Sequence, residues 1–164
     1  MRSFTLPFIA GLLMFPGVAA AECADPAAPG VDWRRCLLEE GNYAGVDLTG
    51  ADLSNARLQR ANLSGAILVD VKAIRVKFVA ANLQKADLSG ADLSDADFTK
   101  ADLSGASLSG ARLRRTRLFR ANLRGANLTG AQIDRTDMHK ADVSGATWLD
   151  GKKICAEGSI GHCN

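Results

Sequence analysis

From residue 31 to residue 150 the apolar positions return every fifth residue, through 24 consecutive units without an insertion. The third position of each unit is apolar throughout, beginning Trp33, Leu38, Tyr43, Leu48, Leu53 and ending Ile133, Met138, Val143, Trp148. The first position is mostly Ala, with Val31, Cys36, Gly41, Val46, Val71, Val76, Thr116 and Thr136 as exceptions. Positions one and three lie two residues apart, so in an extended backbone their side chains share one side. A helix fails this pattern: at about 100° per residue the apolar pair turns about 140° from unit to unit and no stripe forms. The spacing therefore predicts short extended segments with positions one and three facing inward. Gly or a polar residue at position five takes the bend that follows each unit.

The most regular stretch, residues 81–110, includes Ala86-Asp87-Leu88-Ser89-Gly90 and Ala101-Asp102-Leu103-Ser104-Gly105. Units of the form Ala-Asp/Asn-Leu-Ser/Thr-Gly resemble those of the pentapeptide-repeat family, and the resemblance covers the whole of 31–150. It implies an all-β, right-handed quadrilateral β-helix in which four units make one square coil. On that plan the units build about six coils, a column about 29 Å tall at the usual strand spacing of about 4.8 Å. Each unit is too short to bury its own apolar face, so stability has to come from stacking. Taking every twentieth residue places Phe78 directly beneath Phe98. It also puts the small Ala73 in a coil where Val71 and Val76 enlarge neighbouring first positions and restore volume to the core.

The flanks differ from the repeat. Residues 1–21 carry Arg2, an interrupted apolar run from Phe4 to Val18 and small residues at Ala19 and Ala21, the pattern of a secretory signal peptide cleaved before Glu22. Residues 22–30 form an irregular lead-in and cap, and residues 151–164 a C-terminal cap closed by a disulfide. Glu22 precedes Cys23, which argues against a lipid-acceptor cysteine. Export to a bacterial periplasm or the outside favours disulfides among the four cysteines, Cys23, Cys36, Cys155 and Cys163. His139 and His162 are not spaced with them as zinc ligands are. On the six-coil plan the two pairs sit at opposite ends. Because bridged Cα atoms must lie within about 7 Å, Cys23 pairs with Cys36 and Cys155 with Cys163. Each bridge would tie a cap over an otherwise open strand edge.

The net charge of +2 conceals an asymmetry between faces. The first face (units beginning at 31, 51, 71, 91, 111 and 131) carries eight Lys/Arg against five Asp, and the second seven against four acids. The third is balanced, and the fourth holds Asp47, Asp70, Asp87 and Asp150 with no base. The densest feature is Arg112, Arg114, Arg115, Arg117 and Arg120, with Phe119 among them. It is either a contact for an anionic partner, since guanidinium forks suit phosphate and carboxylate, or a solvated face offset by neighbouring Asp. Outward apolar residues Ile67, Val69, Ile74 and Val79 either share a binding patch or pack on one another at a corner. Asn42, Asn62, Asn82, Asp102, Asn122 and Asp142 are placed to stack as a polar ladder on the third face.

No nucleophile and base arrangement, phosphate loop, metal motif or cofactor motif is present in the sequence. The expectation is a non-catalytic, exported scaffold or protein-interaction module without a cofactor. Its partner would be a protein or another anionic envelope component; nucleic acid is not expected, nor a membrane span after cleavage. The alternative comes from quinolone-resistance members of the resembling family, which mimic DNA and regulate topoisomerases. That role needs an acidic surface in the cytoplasm.

Overall fold

The computed structural model describes residues 22–164; the expected signal peptide lies outside the described residues. Only one regular element is long enough to name, a 3₁₀ turn at Glu22–Ala24. The rest is a chain of isolated parallel bridges. Each joins a second position to the second position twenty residues on, from Asp32↔Asp52 to Asn127↔Thr147. With a bend after every unit, four bridged residues make one turn of a square β-helix, and no extended segment exceeds a single bridged residue.

Each unit accounts for its own amide donors. In a typical coil the third N–H donates to the second-position carbonyl of the coil above (Leu53 to Lys72, 2.7 Å), and the fifth to the fourth-position carbonyl there (Asn55 to Ile74, 2.9 Å). The second N–H donates downward (Asp52 to Val31, 3.0 Å), and the first closes the turn (Ala56 to Leu53, 2.8 Å). The fourth N–H has no backbone acceptor and finds the second-position side chain instead, as when Ser94 donates to Asp92 Oδ1 at 3.1 Å. Asp and Asn recur at position two because that oxygen satisfies an amide the helix leaves over.

Every fifth position from Gly30 to Gly145 has positive φ, and fourteen of these residues are not glycine. The bend therefore has the left-handed third turn residue of a type II turn. On the first two faces every such residue from Arg35 onward carries a side chain, whereas the third and fourth are glycine except for Lys85 and Asp70.

The interior is one continuous stack of first and third positions. Phe78 and Phe98 lie 4.8 Å apart with nearly parallel rings, and Val71, Ala73 and Val76 are all fully buried. Thr116, at a first position, is also fully buried; its Oγ1 donates to the Leu93 carbonyl at 2.8 Å. Tyr43 lies across Gly41 so closely that a Cβ there would fall 2.4 Å from the ring, which explains the missing alanine at that first position.

The ends are capped differently. At the start, Cys23 is bonded to Cys36 with Cα atoms 5.5 Å apart, and Trp33 Nε1 donates to the Asp25 carbonyl at 3.1 Å. At the finish the tail turns back and pairs antiparallel, Thr147↔Ile154 and Asp142↔Ile160, with Cys155 bonded to Cys163. Val143 and Gly145 thereby donate to Ser159 and Cys155 (2.9 and 2.8 Å). The tail covers only the third and fourth faces. The Ile133, Arg135, Met138 and Lys140 amides, on the first and second, have no backbone acceptor among the described residues.

Candidate interaction surfaces

The twenty-residue stacking sets the arginines of 112–120 above the acids of the preceding coil. Arg115 makes a two-pronged pair with Asp95 (2.7 and 2.6 Å). Arg117 reaches Asp97 at 3.2 Å and Arg112 reaches Asp92 at 3.9 Å. Asp97 also faces Lys77 at 3.6 Å. Arg114 and Arg120 make no ion pair within 4 Å among the described residues, although Arg114 shares a surface pocket with Asp134 and helps to lower the pKa of Asp95. Arg120 instead lies over the Phe119 ring, 5.2 Å from its centre, and Phe119 stacks on His139 at 5.8 Å. Thus the cluster divides into three arginines tied downward and two that present their charge to solvent, one of them on an aromatic stack.

Asp97 illustrates how the column holds its carboxylates. Burial alone would raise its pKa, but the hydroxyl and amide of Thr99 (2.7 and 3.1 Å) and the charges of Lys77 and Arg117 together keep it below the ordinary aspartate range. Asp95 is lowered chiefly by its hydrogen bond to Arg115. On the third face, Arg124 bridges Asp142 (3.1 Å) and Glu157 (2.8 Å), which fastens the C-terminal tail to the column.

The polar ladder forms in part. Asn62 and Asn82 donate to Asn42 and Asn62 at 3.0 and 3.2 Å, and Asn122 donates to Asp102 at 3.0 Å. Between these segments Gln84 takes over, donating to Asp102 at 2.6 Å. Of the four outward apolar residues, Ile67 is exposed while Val69, Ile74 and Val79 are half-buried. Ile67 and Val69 belong to the fourth face, Ile74 to the bend of the first and Val79 to that of the second, so they follow one another around the column. Sequence reasoning passed over Leu37, the most exposed large apolar residue at 66%. Its second position in the frame already marked it as outward. Ile154 and Ile160 are also exposed, and lie in the tail that pairs with the last coil.

Among the described residues no helix is long and apolar enough to cross a membrane, and no group of three or more His, Cys, Asp or Glu is placed to hold a metal ion.

No curated protein is significantly similar to the chain. Among solved structures, HetL, a pentapeptide repeat protein involved in heterocyst differentiation regulation in the cyanobacterium Nostoc sp. strain PCC 7120, is 32% identical. The match covers 75% of this chain and 68% of HetL, with a TM-score of 0.47. The pentapeptide repeat protein Rfr23 of Cyanothece 51142 is 41% identical over 49% of this chain and 54% of its own, with a TM-score of 0.49. A pentapeptide repeat protein of the Arabidopsis thaliana thylakoid lumen is 28% identical over 76% and 81%, with a TM-score of 0.30. The sequence matches the family described as pentapeptide repeats in eight copies, over residues 34–72, 77–115 and 111–147. With its twenty-residue bridging and inward Ala and Leu positions, the chain belongs to the pentapeptide-repeat family, whose members fold as right-handed quadrilateral β-helices.

Proposed function

We propose that this protein is a non-catalytic, exported interaction module: a rigid column, held in the periplasm or secreted, that presents Arg112, Arg114, Arg115, Arg117, Phe119 and Arg120 to an acidic protein partner. The observation that carries the reading is the division within the cluster. Arg114 is exposed and held by no ion pair within 4 Å among the described residues, and Arg120 is stacked on Phe119. A guanidinium held against an aromatic ring keeps its donors available while losing little freedom on binding. The two disulfides support an oxidising compartment. DNA mimicry toward a topoisomerase finds less support, because the two faces with the most charge are net basic.

Capture of acidic envelope proteins by the protein lacking residues 1–21 provides the test. The variant combines Arg114→Ser and Arg117→Ser with Arg115→Asn and Arg120→Asn, since Asn tolerates the positive φ at those two positions. Loss of capture with an unchanged thermal melt is expected. Undiminished capture would remove the cluster from the interface, and gyrase protection in a supercoiling assay would revive the mimicry reading.

A further inference from the structure

A second basic site lies at the other end of the column and does not depend on the Arg112–Arg120 reading. Arg34, Arg35, Lys72 and Arg75, with Ser54 and Asn55, line a pocket of ≈ 510 Å³ where the first coils meet the Cys23 cap. Its lining contains no acid. Two other basic pockets on the first two faces carry counter-charges: Asp95 and Asp97 beside Arg57, Arg75 and Lys77, and Asp134 beside Arg114 and Arg135. Here the nearby acids stand outside the lining, where Asp32 engages Arg34 and Asp52 engages Lys72. Arg35 and Arg75 make no ion pair within 4 Å among the described residues; Arg75 Nε donates to Asn55 Oδ1 at 2.9 Å, and its charge also helps to lower the pKa of Asp95.

Ser54 contributes to the lining of this pocket. In equivalent units the fourth-position hydroxyl donates to the second-position side chain, as Ser94 does to Asp92 and Thr99 to Asp97, each at 2.7 Å. The Ser54 amide follows the rule, donating to Asp52 Oδ1 at 2.9 Å. Its hydroxyl faces the same carboxylate and helps to hold the Asp52 pKa down, in a poorer geometry than Ser94 or Thr99 achieves. The residue is only 7% exposed. Ser54 therefore shapes the pocket without offering a free donor, and recognition rests on the cations.

We infer that this pocket binds a phosphoryl oxyanion, with the Arg35 and Arg75 guanidinium forks and the Lys72 ammonium as charge partners. A multiply charged phosphoryl group matches a pocket lined by several cations better than a single carboxylate does, and forked donors suit its oxygens. Free phosphate compounds and lipid headgroups both carry this group.

Calorimetric titration with inorganic pyrophosphate, and co-sedimentation with vesicles containing phosphatidic acid, separate the two sources. Arg35 and Arg75 have φ of 62° and 57°, so the double variant Arg35→Asn/Arg75→Asn keeps the bends. Saturable pyrophosphate binding, weakened at least roughly tenfold in the double variant, would assign a free ligand. Vesicle binding that the same variant abolishes, without pyrophosphate binding, would assign a headgroup. Arg112→Ser, toward the far end of the column, should change neither. Absence of both kinds of binding, or equal binding by the double variant, would overturn the inference.

Discussion

At the scale of single residues, the fifth position shows chemistry competing with geometry. Ala80 has a φ of 55° and no side-chain function to justify it. The left-handed region costs an ordinary residue about 1–2 kcal/mol, and glycine's extra freedom in the unfolded chain costs about 0.5–1. Ala80→Gly should therefore stabilise by about 0.5–1 kcal/mol. Gly110→Ala, at a site with open space for the methyl group, should destabilise by about the same amount. Urea denaturation of the pair checks the sign of each. Gly41 tests a different cause, since its φ is not positive: Gly41→Ala should destabilise by displacing the Tyr43 ring, and Tyr43→Leu should relieve the effect.

Aspartates give the column an acid limit. Asp97, held below its ordinary pKa by Thr99, Lys77 and Arg117, favours the charged form in the native state despite its burial. Such a group stabilises fully above the unfolded value of about 3.9, and the contribution is lost as pH falls through the lower native value. Stability should therefore drop below about pH 4. Thr99→Val should weaken the native carboxylate and shift the acid limb of a denaturation series toward higher pH. An unshifted limb would mean that Thr99 does not hold the charge. The sequence showed these acids only as outward charges. Their partner is the amide two residues on, which becomes visible once it is clear which backbone donors the stacking leaves over.

At the scale of the repeating unit, inward and outward positions should respond oppositely to one change. Leu103 is fully buried, whereas Ser104 beside it is partly exposed. Leu103→Asp should cost more than ~4 kcal/mol and abolish a cooperative melt, and Ser104→Asp should change stability by about 0.5 kcal/mol or less. The caps are the other kind of element. Cys36 is fully buried at a first position, so Cys23→Ala/Cys36→Ala restores the residue the repeat prefers there. The remaining loss is that of the crosslink over a separation of 13 residues, about 2–3 kcal/mol in the chain-entropy account. Guanidinium denaturation measures it, and a loss near zero would mean that the lead-in holds its place without the bond.

At the scale of the whole molecule, period and residue type were enough to read the frame, the inward stack, the Phe78 and Phe98 contact and the pairing of the cysteines, because each follows from counting along one continuous repeat. The surfaces were harder to read. That Arg115 is tied to Asp95 while Arg114 is not depends on which way two neighbouring side chains leave the same bend. The Ser54 hydroxyl could not be told from its counterparts by type, since the surrounding sequence is ordinary for a unit. Ile67, Val69, Ile74 and Val79 are neighbours along the chain, but the bends distribute them around the column. Charge summed by face remains informative, because stacking carries it into space unchanged.

The tail that covers only two sides of the last coil also sets an order of disassembly. In a column of this kind each coil is secured mainly by the coils beside it. The amides of Ile133, Arg135, Met138 and Lys140, which lack acceptors, mark the place where the next layer of bonding is missing. Opening should begin at that corner and travel down the first two faces before the disulfide-held side lets go. In hydrogen exchange, protection should then rise from residues 131–140 toward the middle coils on those faces. The third and fourth faces at the same height should exchange later, so that the rod comes apart as a spiral rather than layer by layer.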